Sequence, residues 1–345
     1  MDFLEFQIHK LQQAGAALVS PASIFALPQL AVALAIAFAY LAYRQMRRRS
    51  TVRLPTILRA MMSRRIIFNR STYADLFYYF INTFAIGSLI GWGIFSGLAV
   101  SELGVRMLRA SFGVCAPSTA PEWALRTGMT LVTFFGYELA YYIDHYLKHK
   151  IPFLWEFHKT HHSAEVLTPL TVFRVHPIDS LIFVDIIAII TGTLHGLFTY
   201  AAGKSVGIYS VGDVNIITCV FLFFLAQLQH SQFWIPLTGL PGRILLSPAH
   251  HQIRHSVDPA HHGCNLGSFL AIWDWAFGTL RIPQKEPPRL TFGIGQANAN
   301  PHRISALLID PVMNALRVLG LIRRPTPQVS RIAMETLRPM PHEGR

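Results

Sequence analysis

The sequence predicts an all-α integral membrane protein, a bundle of four to five transmembrane or re-entrant helices with a histidine-rich cap on the cytoplasmic side. Three observations predict it. Of the 345 residues, 52% are hydrophobic and only 14% charged; a soluble domain carries about a quarter charged residues, so much of this surface faces lipid. Apolar runs recur at close to the ~20 residues a helix needs to cross the hydrocarbon core. Sixteen histidines stand against 18 acidic residues, and most sit in short groups beside those runs.

The chain opens with acidic residues in MDFLEFQIHK and lacks the basic start of a secretory signal. The first expected span is about 22–43, the second about 76–100, the third about 129–145, the fourth about 181–201 and the fifth about 206–228. The last two read equally as a hairpin that does not fully cross. The loop between the first two spans holds Arg44, Arg47, Arg48, Arg49, Arg53, Arg59, Arg64, Arg65 and Arg70, which places it in the cytoplasm. The stretch 101–126 then lies outside, while His145 to His176 and His230 to His262 return to the cytoplasmic side. The arginines alone set this topology, and the histidine groups fall on one side of it.

The net charge is +12, but its basic residues are not interleaved with aromatics, which argues against nucleic acid as a partner. Cys115, Cys219 and Cys264 form no CxxC pair, so any metal is held by nitrogen and oxygen. Three regions follow: 1–124, transmembrane with a basic cytoplasmic loop; 125–282, which holds most of the histidines; and 283–345, a partly disordered tail with an amphipathic piece over about 304–321.

The histidines carry the chemistry. His145 and His149 are spaced i, i+4, which puts both on one helix face. His158, His161 and His162 share a face in the same way, as do His251 and His255. His261 stands four residues before Asn265, beside His262, and His250 precedes the His251 pair; His176 and His230 are single. Imidazole suits iron, zinc, copper and nickel. These residues exceed the needs of one tetrahedral ion, which points to two metals or to one with many outer partners. His9, His195, His302 and His342 read as surface residues.

The order HxxxH, HxxHH, HxxxH resembles the sterol desaturase / fatty acid hydroxylase superfamily of membrane di-iron enzymes. YELAYYIDHYLKHKIPFLWEFHKTHHSAEVLTPLTVFRVHP and LSPAHHQIRHSVDPAHHGCNLGSFLAIWDWAFGTL carry the resemblance, over about 134–280. It implies two irons, dioxygen as oxidant, and hydroxylation or desaturation of a lipid C–H bond (sterol, fatty acyl or related). It also implies His145, His149, His158, His161, His162, His230, His251, His255 and His261 as ligands. His176, His250, His262, Asn265 and Glu138 are expected as further ligands or their partners. With no flavin, nicotinamide or haem motif visible, electrons are expected from a separate donor protein.

Two departures stand out. Arg254 occupies the place of a histidine in the family's usual HxxHH third motif, and arginine cannot ligate a metal. Glu138 stands where aspartate is frequent, on the His145 face of its helix, placed to accept from a ligand ring. Besides the enzyme, Arg254 keeps open a non-catalytic or altered-metal descendant. A metal transporter fits less well, since its ligands belong near the bilayer midplane. Tyr141, Tyr142, Phe153, Trp155 and Phe157 are candidates for a lipid path, with core packing the plainer role.

Overall fold

The computed structural model describes residues 26–49, 51–82, 95–295 and 300–323, with scattered positions between 12 and 20. Expectations for His9, His342, the middle of the second span and the chain beyond Arg323 fall outside these residues. The described residues are mostly helical, as expected, with one two-stranded hairpin.

Helix α1 (Leu27–Arg49) is followed by the short basic helix α2 (Leu54–Met61) and by α3 (Arg70–Phe80). Next come α4 (Gly97–Phe112), the 29-residue α5 (Glu122–Lys150) and α6 (Pro152–His162). Pro152 explains the break between the last two: it cannot continue α5 but starts α6 at its first turn. The 26-residue α7 (Pro177–Ala202) again opens on proline, with Asp179 in its first turn, where a carboxylate complements the helix dipole. Helices α1 and α7 are long and apolar enough to cross a membrane.

Two expectations are corrected. The fifth span is not one long helix: Ser210–Val211 and Val214–Asn215 pair as a hairpin. Its turn residues Gly212 (φ 53°) and Asp213 (φ 64°) are both left-handed, as a two-residue turn between twisted strands needs. Helix α8 starts only at Ile216 and ends at Gln229, interrupted by a π turn over Leu222–Ala226. At ~1.5 Å per residue it reaches roughly 20 Å, short of the ~30 Å hydrocarbon core. The stretch 101–126, expected outside the membrane, holds the rest of α4 up to Phe112 and the start of α5 from Glu122, and α4 packs along α7. Small residues permit this. A Cβ on Gly192 would lie 2.5 Å from the carbonyl oxygen of Gly97, and one on Gly196 would lie 2.8 Å from that of Ser101. Such small-xxx-small contacts let apolar helices approach closely in lipid. His195, expected as a surface residue, is half-buried there and bonds Ser101 Oγ at 2.8 Å.

Chain direction positions the site. α5 ends, α7 begins and α8 ends at the same end of the bundle, and α6 runs across it. Short helices α9 (Gly239–Ile244), α10 (Pro248–Arg254) and α11 (Ile272–Phe277) follow there. The expected amphipathic piece forms α12 (Ile304–Leu308) and α13 (Asp310–Val318), and α13 packs on α6. Arg174 fastens this end: fully buried, it pairs with Asp75 of α3 at 3.1 Å and bonds the Thr160 carbonyl. Its Nη2 meets His302 at 2.8 Å, so His302 is a packed residue rather than a surface one.

Gly196→Leu should wedge α4 from α7 and cost about 1–3 kcal/mol, the usual overpacking range. Gly104→Leu on α4, where nothing lies within 4 Å of an added Cβ, should not. Thermal unfolding of both variants in detergent micelles checks this.

Candidate metal centre

Four segments converge on the histidines. The last turns of α5 supply His145 and His149, and α6 supplies His158, His161 and His162. His230 follows α8, and α10 supplies His251 with His255 at its C-cap. They sort into two groups. In cluster A (His145, His149, His158, His162) and in cluster B (His161, His230, His251, His255), one ring nitrogen per residue lies within 4.8 Å of the others. The HxxHH spacing on α6 divides the residues: His158 and His162 turn to cluster A and His161 to cluster B. The clusters touch, with the His162 and His255 rings stacked 4.5 Å apart.

Within the clusters Nε2 atoms face one another: His145 to His158 at 3.0 Å, His161 to His230 at 3.2 Å, and His251 to His255 at 3.0 Å. Burial holds the titration of His161, His162, His251 and His255 well below the usual imidazole value; neighbouring imidazoles, and Arg254 at His251, push the same way. These rings are therefore neutral, the form that ligates. His149 Nε2, His161 Nδ1, His162 Nε2, His230 Nδ1 and His255 Nδ1 are buried with no hydrogen-bond partner. Orphaned polar atoms of this kind are costly; in cluster A, where the Nε2 atoms of His149 and His162 are among them, a bound cation would offset that cost, and in cluster B the facing Nε2 atoms of His161, His230, His251 and His255 offer the ligands. Each cluster thus fits one nitrogen-ligated metal ion.

Outer partners surround the clusters. Asp179 Oδ2 lies 3.1 Å from His158 Nδ1. Lys148 is buried between Asp179 and Asp144, and bonds the latter at 2.7 Å. The sequence reading missed all three residues. Its signal was present: Asp144 adjoins His145, and Asp179 follows the RVHP word.

Other expected site residues lie elsewhere. His261 is half-buried and belongs to neither cluster, because its three-residue 3-10 turn (Pro259–His261) sits at the surface. His250 caps its own helix, its Nδ1 accepting from Ser247 N–H at 3.1 Å. His176 caps α7, its Nδ1 accepting from Ile178 N–H at 3.2 Å, while Nε2 reaches the Leu308 carbonyl at 3.1 Å. Asn265 donates to the carbonyls of His250 and Arg281 at 3.0 Å each. Glu138 accepts no imidazole proton. Its Oε2 takes the backbone N–H groups of Phe269 (3.1 Å) and Leu270 (2.8 Å), so it secures the loop before α11. His262 is exposed and lines a cavity with His149, His162 and His255.

Two cavities reach the clusters from different sides. One, about 210 Å³, runs along the helices, lined by Tyr137, Tyr141, Phe183, Leu222 and Phe269 with His145, His158, His161 and His230. The other, about 600 Å³, opens among loops, where Trp155, Lys150 and Gly293–Gly295 join His149, His162 and His255. Tyr141 and Trp155 therefore line cavities. Tyr142 stacks on Phe277 at 5.2 Å, and Phe157 packs against His176.

Residues 130–279 match the fatty acid hydroxylase family. Alkylglycerol monooxygenase of Xenopus tropicalis is 27% identical over 163 residues, 45% of this chain and 31% of that protein. Cholesterol 25-hydroxylase of Homo sapiens is 28% identical over 48% of this chain and 56% of its own length. Ornithine lipid hydroxylase OlsE of Rhizobium tropici is 29% identical over 46% and 43%. The matched stretch thus spans about half or less of these relatives. No solved structure gives a significant match. The family match over the histidine-bearing helices, and the relatives that share it, make residues 130–279 similar to the fatty acid hydroxylase family, in line with the resemblance read from the histidine motifs.

Proposed function

We propose that this chain is a membrane-bound di-iron monooxygenase that uses dioxygen to hydroxylate or desaturate a C–H bond of a lipid. The observation that carries this reading is the pair of four-histidine clusters standing between two cavities. All three relatives named above are, by name, enzymes that oxygenate or hydroxylate, and each name carries a lipid: an alkylglycerol, cholesterol and an ornithine lipid. Arg254 removes no imidazole from either cluster, which favours the enzyme over a non-catalytic descendant. Clusters at helix ends, rather than inside spans, disfavour a transporter.

When bound, the irons supply the redox chemistry that activates dioxygen; the protein's own groups bind, orient and exclude water. The 210 Å³ cavity, flanked by α5, α7 and α8, receives the lipid chain, and its apolar wall of Phe183, Leu222 and Phe269 keeps water out. Tyr137, Tyr141, Gln229 and Ser268 offer polar contacts there for a hydroxyl or ester of the lipid. Asp179 accepts the Nδ1 proton of His158, leaving Nε2 free toward cluster A. A separate donor protein delivers electrons on the 600 Å³ side, where Lys150 and Lys159 lie. The Arg44–Arg70 loop sets the histidine end in the cytoplasm. Region 125–282 is the catalytic unit, 1–124 anchors it, and 283–345 is a tail in which α12 packs on α3 and α13 covers α6.

Protein purified in mild detergent should carry about two irons per chain. Supplied with a redox donor and dioxygen, it should convert a lipid to a product that has gained an oxygen atom or lost a pair of hydrogens, detected by mass spectrometry. Iron-free protein that takes up no iron on reconstitution would overturn the reading. Either His162→Ala or His255→Ala should lower bound iron by about one ion per chain, measured by elemental analysis, because each removes one ligand from a different cluster. Asp179→Asn should weaken metal affinity about 10–100-fold, measured by competition with a chelator.

A further inference from the structure

Arg254 is only 3% exposed, and its guanidinium lies between the two clusters. Nη1 bonds the carbonyls of Asn265 at 3.0 Å and Gly267 at 3.2 Å, and lies 3.4 Å from His145 Nδ1. Nη2 lies 2.5 Å from His251 Nδ1 and 3.2 Å from its Nε2. The Tyr141 hydroxyl is a further partner, and no carboxylate is among these contacts. Arg254 thus reaches one histidine of each cluster.

A guanidinium nitrogen has only N–H to offer, so the ring nitrogen facing it presents a lone pair. A neutral imidazole that accepts at Nδ1 carries its proton on Nε2. The contacts then run in one consistent direction through cluster A. Arg254 donates to His145 Nδ1, His145 Nε2–H donates to His158 Nε2, and His158 Nδ1–H donates to Asp179 Oδ2. In cluster B, Arg254 Nη2 approaches both ring nitrogens of His251 and lies nearer Nδ1, so the closer contact makes Nδ1 the acceptor and His251 Nε2–H donates to His255 Nε2. Asp179 therefore holds His158 in the tautomer that frees Nε2. Arg254 holds His145 and His251 in the opposite tautomer, with a proton on the nitrogen that faces the cluster.

We infer that Arg254 is a positioning residue that opposes metal uptake at both clusters, by fixing the tautomer of His145 and His251 and by adding a fixed positive charge between them. This deepens the metal reading above and rests on it. For an ion to take His145 or His251 through Nε2, the ring proton must move to Nδ1, where it faces the guanidinium donors. Arg254 must then give up those contacts, while its bonds to the Asn265 and Gly267 carbonyls hold it near two cations. Metal loading is consequently weaker than eight histidines alone allow, and it is coupled to the position of one side chain.

The test uses full-length protein stripped of metal, in detergent, with native Arg254, Arg254→Met (similar reach, no charge, no donor), Arg254→Gln and Arg254→Lys. Cobalt(II) is titrated in without oxygen, and its visible absorption reports nitrogen coordination. Arg254→Met should bind cobalt on the order of tenfold more tightly than native protein, with Arg254→Lys close to native because it keeps a donating cation. If the Met form does not fold, Arg254→Gln carries the same expectation of tighter binding. A second readout is the ¹⁵N shift of the imidazoles in metal-free protein: His145 and His251 should move from Nε2–H toward Nδ1–H in the Met form alone. Equal cobalt affinity and equal shifts in all four proteins would overturn the role of Arg254 while leaving the clusters as metal sites. Failure of every form, native included, to bind cobalt would overturn both.

Discussion

Eight imidazoles share one buried volume, and the rest of the site follows from satisfying them. A neutral ring has one donor and one acceptor, and burial makes either costly to leave unpaired. Three facing Nε2 pairs, one within cluster A and two within cluster B, settle part of this need. Asp179 settles the Nδ1 of His158, and five cluster nitrogens are left with no partner in the chain. Two of these are Nε2 atoms of cluster A, of His149 and His162, which a cation is suited to complete, and the need to gather eight rings explains why so many segments meet here. No single helix face holds more than three of these histidines, so α5, α6, α8 and α10 must all converge.

Two buried arginines near this end show different solutions to the same electrostatic problem. Arg174 is matched by Asp75, by Ser71 and Ser163 hydroxyls and by two backbone carbonyls, so its charge is compensated and it binds α3, α6 and the C-terminal segment together. Arg254 has carbonyls and ring nitrogens but no carboxylate. Removing one partner of a compensated pair is a matter of stability; a cation beside a metal site with no carboxylate bonded to it acts on what the site binds. Position in the fold, not residue type, separates the two roles.

Carboxylates divide in the same manner. Glu138 and Asp274 both accept backbone N–H groups of the 266–270 loop, and so hold the wall of the smaller cavity in shape. Asp179 instead turns toward an imidazole. Glu138 lies on the same helix face as His145, yet the loop's unpaired amides reach it first. This is why the sequence-based expectation of a bond from Glu138 to a histidine does not hold, although the helix face itself was read rightly.

Helical class, the long apolar α1 and α7 and the grouping of histidines by helix face were legible from periodicity and spacing alone, because i, i+3 and i, i+4 neighbours must share a face. Spacing also identified eight residues that the fold brings together. It could not assign them to clusters, since that depends on how α6 lies across the ends of α5 and α8. It equally mistook His261, whose spacing to Asn265 mimics a helix where the chain makes only a surface turn. A local turn at Gly212–Asp213 breaks the fifth apolar run. The close approach of α4 to α7 and the inward turn of Arg254 were decided by tertiary structure. Each rests on contacts between segments far apart in sequence, and local pattern carries no record of them.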